Sequence, residues 1–311
     1  MVEPTADVIH TDALIIGAGP IGLFQAFQLG LLEISSHIVD TLPHPGGQCV
    51  ALYGDKPIYD IPGTPVTTGR ALVASLLQQV APFQPTMHLG EQVTTLARQD
   101  DGLLRLGSTA GKTFVARTVF IAAGVGAFVP RRLTLADAEH FEGTRLFYHP
   151  ESLTGFADQA VVVNGGDDTA LSTAIALSRN ACQVTLVHRR DGFQADPALV
   201  AEMRDLVATG RLAFVVGQPT GLDTTHVHVG LPDESTQSIP ADALVACLGI
   251  SPRLGPIADW GLALQRKQLP VDTEKFQTTE PGIFAVGDIN TYPGKKKLIL
   301  CGFHEATLAA W

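Results

Sequence analysis

The feature that most constrains the fold of this chain is a strand–glycine turn–helix–strand pattern that occurs twice. The apolar run Ala13-Leu14-Ile15-Ile16 leads into Gly17-Ala18-Gly19-Pro20-Ile21-Gly22, a G-x-G-x-x-G, and then into a helix expected over Ile21–Leu31. A second strand, His37-Ile38-Val39, ends on Asp40. In such a unit Gly17 permits the tight turn, Gly19 lets the backbone close on a pyrophosphate, and Gly22 lets the helix pack on the sheet. The helix N-terminus, with Pro20 and Ile21 at its start, offers unpaired N–H groups to the phosphates. An acid at Asp40 suits the diol of a ribose without a 2′-phosphate, so this site expects FAD or NAD.

The pattern returns at Val161-Val162-Val163, followed by Asn164-Gly165-Gly166-Asp167-Asp168-Thr169-Ala170, a helix expected over Asp168–Asn180 and a strand over Val184–Val187. This second strand ends in His188-Arg189-Arg190 rather than in an acid. Arginine offers a charged fork to phosphate, so the second site favours a 2′-phosphate, and NADPH over NADH. Its candidate NADP-binding residues are Gly165, Gly166, Asp167, His188, Arg189 and Arg190. Two such units in tandem predict an α/β chain of two doubly wound, Rossmann-like nucleotide-binding domains.

Between the units, Leu72, Val73, Leu76, Leu77 and Val80 share one face of a helix expected around Arg70–Val80. From Val93 to Ala116 the pattern turns strand-like around an Asp101-Gly102 hairpin, and Val119–Ala122 is a further buried strand. Near Gly249 the chain leaves the second domain, and Gly282–Val286 is a strand expected to return to the first. The first domain is therefore expected over 1–130 plus 251–311, with the second, 131–250, inserted into it. Gly287-Asp288 follows that returning strand and brings a carboxylate to a polyhydroxyl chain, as the ribitol of FAD requires. With the N-terminal fingerprint, this pair selects FAD for the first domain.

A net charge of −10 argues against a nucleic-acid binder, which needs a basic face. No apolar run approaches the roughly 18–20 residues of a membrane-spanning helix, and the first dozen residues carry acids but no Lys or Arg, so no secretory signal is expected. The cysteines Cys49, Cys182, Cys247 and Cys301 lie far apart without a C-x-x-C, which fits free thiols in a reducing cytoplasm. The histidines show no metal-ligand spacing; His226 and His228 alternate in a strand-like run and are expected at the surface.

Beyond these local signals, Pro45-Gly46-Gly47-Gln48-Cys49-Val50-Ala51-Leu52-Tyr53, Ile58-Tyr59-Asp60-Ile61, Phe120–Phe128, Pro130-Arg131-Arg132-Leu133, Leu254-Gly255-Pro256-Ile257, Val271-Asp272-Thr273 and Gly282–Ala306 resemble the thioredoxin-reductase-like ferredoxin–NADP reductases. The resemblance spans essentially the whole chain and implies a homodimer moving electrons between NADPH and ferredoxin or flavodoxin through FAD. It places FAD contacts on Asp40, Gln48, Tyr53, Val93, Phe128 and Asp288, with Gly47 beside Gln48 and Tyr53 flat on one flavin face. The flavin carries the chemistry, so neither a catalytic side chain nor a metal is expected. Thioredoxin reductases carry a C-x-x-C where this chain has Tyr148-His149-Pro150-Glu151-Ser152, so a dithiol relay is ruled out.

Several residues depart from the resembled pattern. The family usually has glycine at Asn164, serine at Asp168, alanine at Thr169 and arginine at Gln194. Asn164 is expected to use its tolerance of left-handed angles, and Asp168 to cap the helix and repel the pyrophosphate. These departures keep two other readings open: an FAD-dependent reductase of a small-molecule acceptor, and a flavin-binding module with impaired NADPH turnover. Lys295-Lys296-Lys297 and Arg131-Arg132 are local basic clusters in an acidic protein, and so a candidate dock for an acidic ferredoxin. Members of the resembled family continue beyond the helix that contains Trp311 with a tail covering the other flavin face.

Overall fold

The computed structural model describes residues 8–52, 54–148, 150, 152–181 and 183–311, without the side chains of 127–130 and 250–252. Ala13–Ile16 are apolar without exception and buried on both faces of their strand, as the centre of a parallel sheet requires. That strand, β1 (Val8–Ile16), pairs in parallel with β2 (Ser36–Asp40) on one side and with Thr113–Ile121 on the other. β2 pairs in turn with Thr86–Leu89. The crossover between β1 and β2 is α1 (Pro20–Leu31), started by a proline whose fixed φ suits a first helical turn. A short helix, α2 (Gly47–Ala51), and then α3 (Gly69–Val80) follow. α1 and α3 cover one sheet face, packing Leu23, Ala26, Leu72 and Leu76 against Ala13 and Ile15. The other face sets Leu14, Ile16 and Val39 against Leu104, Leu106 and Phe114.

Thr113–Ile121 is one continuous strand, where the sequence suggested a hairpin ending at Ala116 and a separate strand from Val119. Its first half pairs antiparallel with Leu104–Ser108, itself joined to Val93–Arg98 across the Asp101-Gly102 turn. Its second half pairs in parallel with Ile283–Ala285, matching Ile283 with Val119. One strand thus seats both the hairpin and the segment returning from the far end of the chain. The last helix of this unit, α7 (Ile299–Ala310), lies on α1, with Phe303 4.8 Å from Phe24 between ring centroids.

Two compact units result: Met1–Phe128 with Pro252–Trp311, and Val129–Ser251. The first helix of the second unit is the single-turn α4 (Ala138–Phe141). Its five-stranded parallel sheet runs in the order Leu146–Tyr148, Ala243–Cys247, Ala160–Gly165, Gln183–His188 and Ala213–Val216. On one face α5 (Asp168–Leu177) and α6 (Pro197–Ala208) bury Leu171, Ala174 and Met203 against Val161, Val163 and Leu186. α5 stops short of Asn180, because the amides of Arg179 and Asn180 turn back to carbonyls three residues earlier. The other face packs on an antiparallel sheet of Gln218–Leu222, His226–Gly230 and Thr236–Pro240. Among the described residues, no helix is long and apolar enough to cross a membrane.

Candidate functional site

The C-terminal ends of β1 and β2 open on a cavity of about 370 Å³ within the first unit. Its floor is the fingerprint turn. Gly17 has φ 112°, and a Cβ there would sit 2.4 Å from the Ala122 carbonyl oxygen; one on Gly22 would sit 1.8 Å from the Gly17 carbonyl oxygen. Gly19 caps α1 without a side-chain hydrogen bond, so the first amides of α1 are left to a ligand. Gly19 faces Gly47, where an added Cβ would come within 3.1 Å of the Gly19 Cα. Two glycine backbones therefore meet across a slot that side chains would fill.

Three carboxylates, Asp40, Glu91 and Asp288, stand on the cavity wall, two of them expected from the sequence. Asp40 is nearly buried and accepts the amides of Ala18 (2.5 Å) and Leu42 (2.7 Å). Burial pushes its carboxyl upward, while the Leu42 and Ala18 amides and nearby His44 pull it down; the net direction is up. These two bonds leave about two further lone-pair positions on the carboxylate for a ligand hydroxyl. Asp288, in the turn Gly287–Ile289, accepts from Gln48 Nε2 at 3.1 Å, so two elements remote in sequence meet at the cavity. Beside them the Cys49 thiol is pushed up to about 11 by burial and by the Asp288 charge, which leaves it an inert wall group.

In the second unit the turn after Ala160–Gly165 is equally tight. A Cβ on Gly165 would lie 2.2 Å from the Cys247 carbonyl oxygen, and one on Gly166 would enter the His188 ring. The N-cap of α5 is Asp167, whose Oδ1 accepts the Ala170 amide at 3.0 Å. This corrects the expectation for Asp168. The extended backbone falls at Asp167, so Asp168 is the first helical residue, and its Oδ1 turns to the amide of Asp196 (2.6 Å) at the start of α6. Asn164 departs from expectation too. It stays in the strand, paired with Val187 and Ala246, and needs no left-handed backbone. His188 stacks on Phe193 with centroids 5.5 Å apart. Burial, then Arg189 and Arg190, push its imidazole below the usual range, so it adds no positive charge at neutral pH. Arg189 and Arg190 are exposed at the strand end.

A family model described as pyridine nucleotide-disulphide oxidoreductase matches residues 11–306. The chain belongs to that family. Within it, the chain is 57% identical to a ferredoxin–NADP reductase of an Acidovorax species, over 96% of this chain and 87% of that protein. It is 54% identical to a ferredoxin–NADP reductase of Albidiferax ferrireducens, over 98% and 89% respectively. Its structure is similar to the bacillithiol disulfide reductase of Staphylococcus aureus (TM-score 0.70, 17% identity, 97% of each chain). It is also similar to the thioredoxin reductase of Lactococcus lactis (TM-score 0.64, 21% identity, 96% of each chain). At those identities the two structures bear on the fold alone, a thioredoxin-reductase-like pair of nucleotide-binding units.

In this member of the pyridine nucleotide-disulphide oxidoreductase family, Gly17, Gly19, Pro20, Ile21, Asp40, Gly47, Gln48, Val93, Gly287 and Asp288 all line the one cavity, with Gly22 beneath it. Tyr53 lies outside the described residues, as does the side chain of Phe128. Sequence reasoning missed Glu91 and Trp260 on the wall, for they carry no motif: Glu91 lies in the connection after the strand Thr86–Leu89, and Trp260 directly follows the turn Gly255–Asp259. The lysine cluster divides. Lys295 is no surface charge, because its ammonium is paired with the fully buried Glu305 and its side chain is 7% exposed. Lys296 and Lys297 are exposed, and Lys297 also lines the cavity. Arg132 is paired with Glu142, and Arg131 is exposed.

Proposed function

We propose that the protein is an FAD-dependent ferredoxin–NADP reductase passing electrons between NADPH and a ferredoxin or flavodoxin. The observation that carries this reading is the 52–57% identity, over nearly the whole chain, to proteins of that name. The first unit is the FAD-binding domain and Val129–Ser251 the NADP-binding domain. The cradle fits FAD: Gly17, Gly19, Gly22 and Gly47 leave room for a pyrophosphate against the α1 amides, and Asp40 and Asp288 offer acceptors to ribose and ribityl hydroxyls. Pro20, Ile21, Val93, Gly287 and Gln48 complete its wall, and Tyr53 and Phe128 are carried over by resemblance. FAD bound there would accept a hydride from NADPH and release electrons singly.

The remaining work falls to the chain. Gly165, Gly166 and the helix start at Asp167 receive the NADPH pyrophosphate, His188 shapes the turn, and Arg189 and Arg190 hold the 2′-phosphate. With no C-x-x-C in the sequence, electrons leave the flavin without a dithiol relay. Lys296 and Lys297 give an acidic partner its electrostatic steering. The protein acts as a cytoplasmic homodimer.

Anaerobic turnover with NADPH and ferredoxin tests the reading, with NADH and ferricyanide as comparisons. Ferredoxin reduction faster with NADPH than with NADH supports it; reduction of ferricyanide alone assigns the protein to small acceptors instead. Lys296→Glu should slow ferredoxin reduction several-fold at low salt and leave ferricyanide reduction unchanged. Equal loss with both acceptors would remove Lys296 from the dock.

A further inference from the structure

Glu305, at the middle of α7, is fully buried and receives four hydrogen bonds. They come from the Gly287 amide (2.7 Å), Asn290 Nδ2 (2.9 Å), the Tyr292 hydroxyl (2.9 Å) and the Lys295 ammonium. Four donors use all of the roughly four lone-pair positions of an ionised carboxylate. Lys295 makes a second bond, from its ammonium to the Gly287 carbonyl oxygen at 2.9 Å. The N–H and the C=O of Gly287 are thus held by opposite members of one buried ion pair. Burial and then Glu305 raise the Tyr292 hydroxyl, which keeps it a donor.

Close approach of α7 makes this contact possible. Gly302 precedes Glu305 on the same helix face, and a Cβ there would lie 3.4 Å from the Gly287 Cα and 2.5 Å from Ile21 Cδ1. Gly287 itself has φ 81°, a conformation natural to glycine. The next residue is Asp288, which faces Gln48 at the cavity.

Desolvating two charges usually cancels their attraction, so an apolar pair of similar volume would serve stability as well. What an apolar pair cannot do is fix both polar groups of one residue in a turn. We infer that Glu305 and Lys295 are positioning residues of the flavin site, clasping Gly287 so that Asp288 presents its carboxylate to the ribityl hydroxyls. This rests on the FAD reading above. Neither side chain lines the cavity, so both act through Asp288.

A mutant cycle on FAD affinity, read by titrating flavin into apoprotein, tests the clasp. Glu305→Gln should raise the FAD Kd about tenfold, since an amide cannot accept all four donors. Combined with Asp288→Asn, the loss should be no greater than that of the worse single change, because both act on one contact. Combined with Asp40→Asn, at a separate place on the wall, the losses should multiply. An unchanged Kd for Glu305→Gln, or losses that multiply with Asp288→Asn, would overturn the inference. If Glu305→Gln does not fold, Tyr292→Phe, which removes one donor, takes its place in the same cycle under the same criteria. Hydrogen exchange of the Gly287 amide in flavin-free protein separates the two readings. Slow exchange that Glu305→Gln accelerates, in a protein that binds no FAD, would keep the clasp and sink the flavin assignment; unaltered exchange would sink the clasp.

Discussion

An alanine at position 22 would bring its Cβ to 1.8 Å from the Gly17 carbonyl oxygen, a contact that only backbone movement can relieve. Gly22→Ala should therefore lift α1 from β1 and spoil the glycine slot. We expect a stability loss of about 1–3 kcal/mol, the usual cost of overpacking, and flavin content below about a tenth of wild type, measured after acid release. Full flavin occupancy in this variant would show that the turn has slack. Arg189 and Arg190 make the opposite kind of case, exposed and proposed to hold the 2′-phosphate. Hydrogen bonds to charged groups contribute about 1.5–3 kcal/mol, so Arg189→Ala or Arg190→Ala should raise the KM for NADPH about ten- to a hundredfold and leave that for NADH nearly unchanged. An equal rise with both cofactors would place the arginine away from the 2′-phosphate. Gly22 was legible from sequence because its close contact lies within its own turn. Asp168 was not: its partner is the Asp196 amide on another element, and one residue of shift at the N-cap exchanged its role with that of Asp167.

Between elements, the first sheet carries a polar chain that no motif announces. Lys112 donates to His88 Nδ1 (3.1 Å) and to Glu91 (2.7 Å), His88 and His37 share a 3.0 Å bond, and Ser108 donates to Glu91. With an ammonium on its Nδ1, His88 carries its hydrogen on Nε2 and donates to His37, so both rings are neutral. Burial pushes His37 below its usual 6.5; burial, then Lys112 and His37, do the same to His88. The unfolded chain therefore binds these two protons first as pH falls. The stability they contribute is full above pH 6.5 and is lost below it. Burial alone would raise Glu91, but the Lys112 and Ser108 bonds prevail and hold it below 4.5, so its contribution is lost only under that value. His88→Gln should flatten the fall in Tm between about pH 7 and about pH 5 and spare the fall below about pH 4.5. A wild-type slope retained in the mutant would assign that fall to other groups. The contrast with the motifs is one of range. Strand alternation and glycine turns are local and were readable, whereas Thr113–Ile121 is continuous only because Leu104–Ser108 and Ile283–Ala285 both pair with it. Lys295 looked like a solvated charge because its acid, Glu305, lies in a helix beyond it.

At the scale of the whole molecule, the two compact units were visible because a glycine fingerprint occurs twice and an apolar strand reappears late, and the two are proposed to hold different cofactors. Each has its own core on both faces of its own sheet, so each is expected to respond to its own ligand. A ligand that binds only the folded state stabilises it by about 2.7 kcal/mol at a hundredfold excess over Kd. For units of this size about 2–8 °C of Tm follows from each kcal/mol, so saturating FAD should raise one calorimetric transition by roughly 5–20 °C. NADP⁺ should raise the other transition. Glycines confined to one cradle supply the control: Gly22→Ala should abolish the FAD-dependent shift and leave the NADP⁺-dependent shift intact. Limited proteolysis of the apoprotein with each ligand in turn identifies which unit is protected. If FAD protects Val129–Ser251 instead, the two cofactors have been assigned to the wrong units, and the acid at Asp40 and the arginines at 189 and 190 do not select between them.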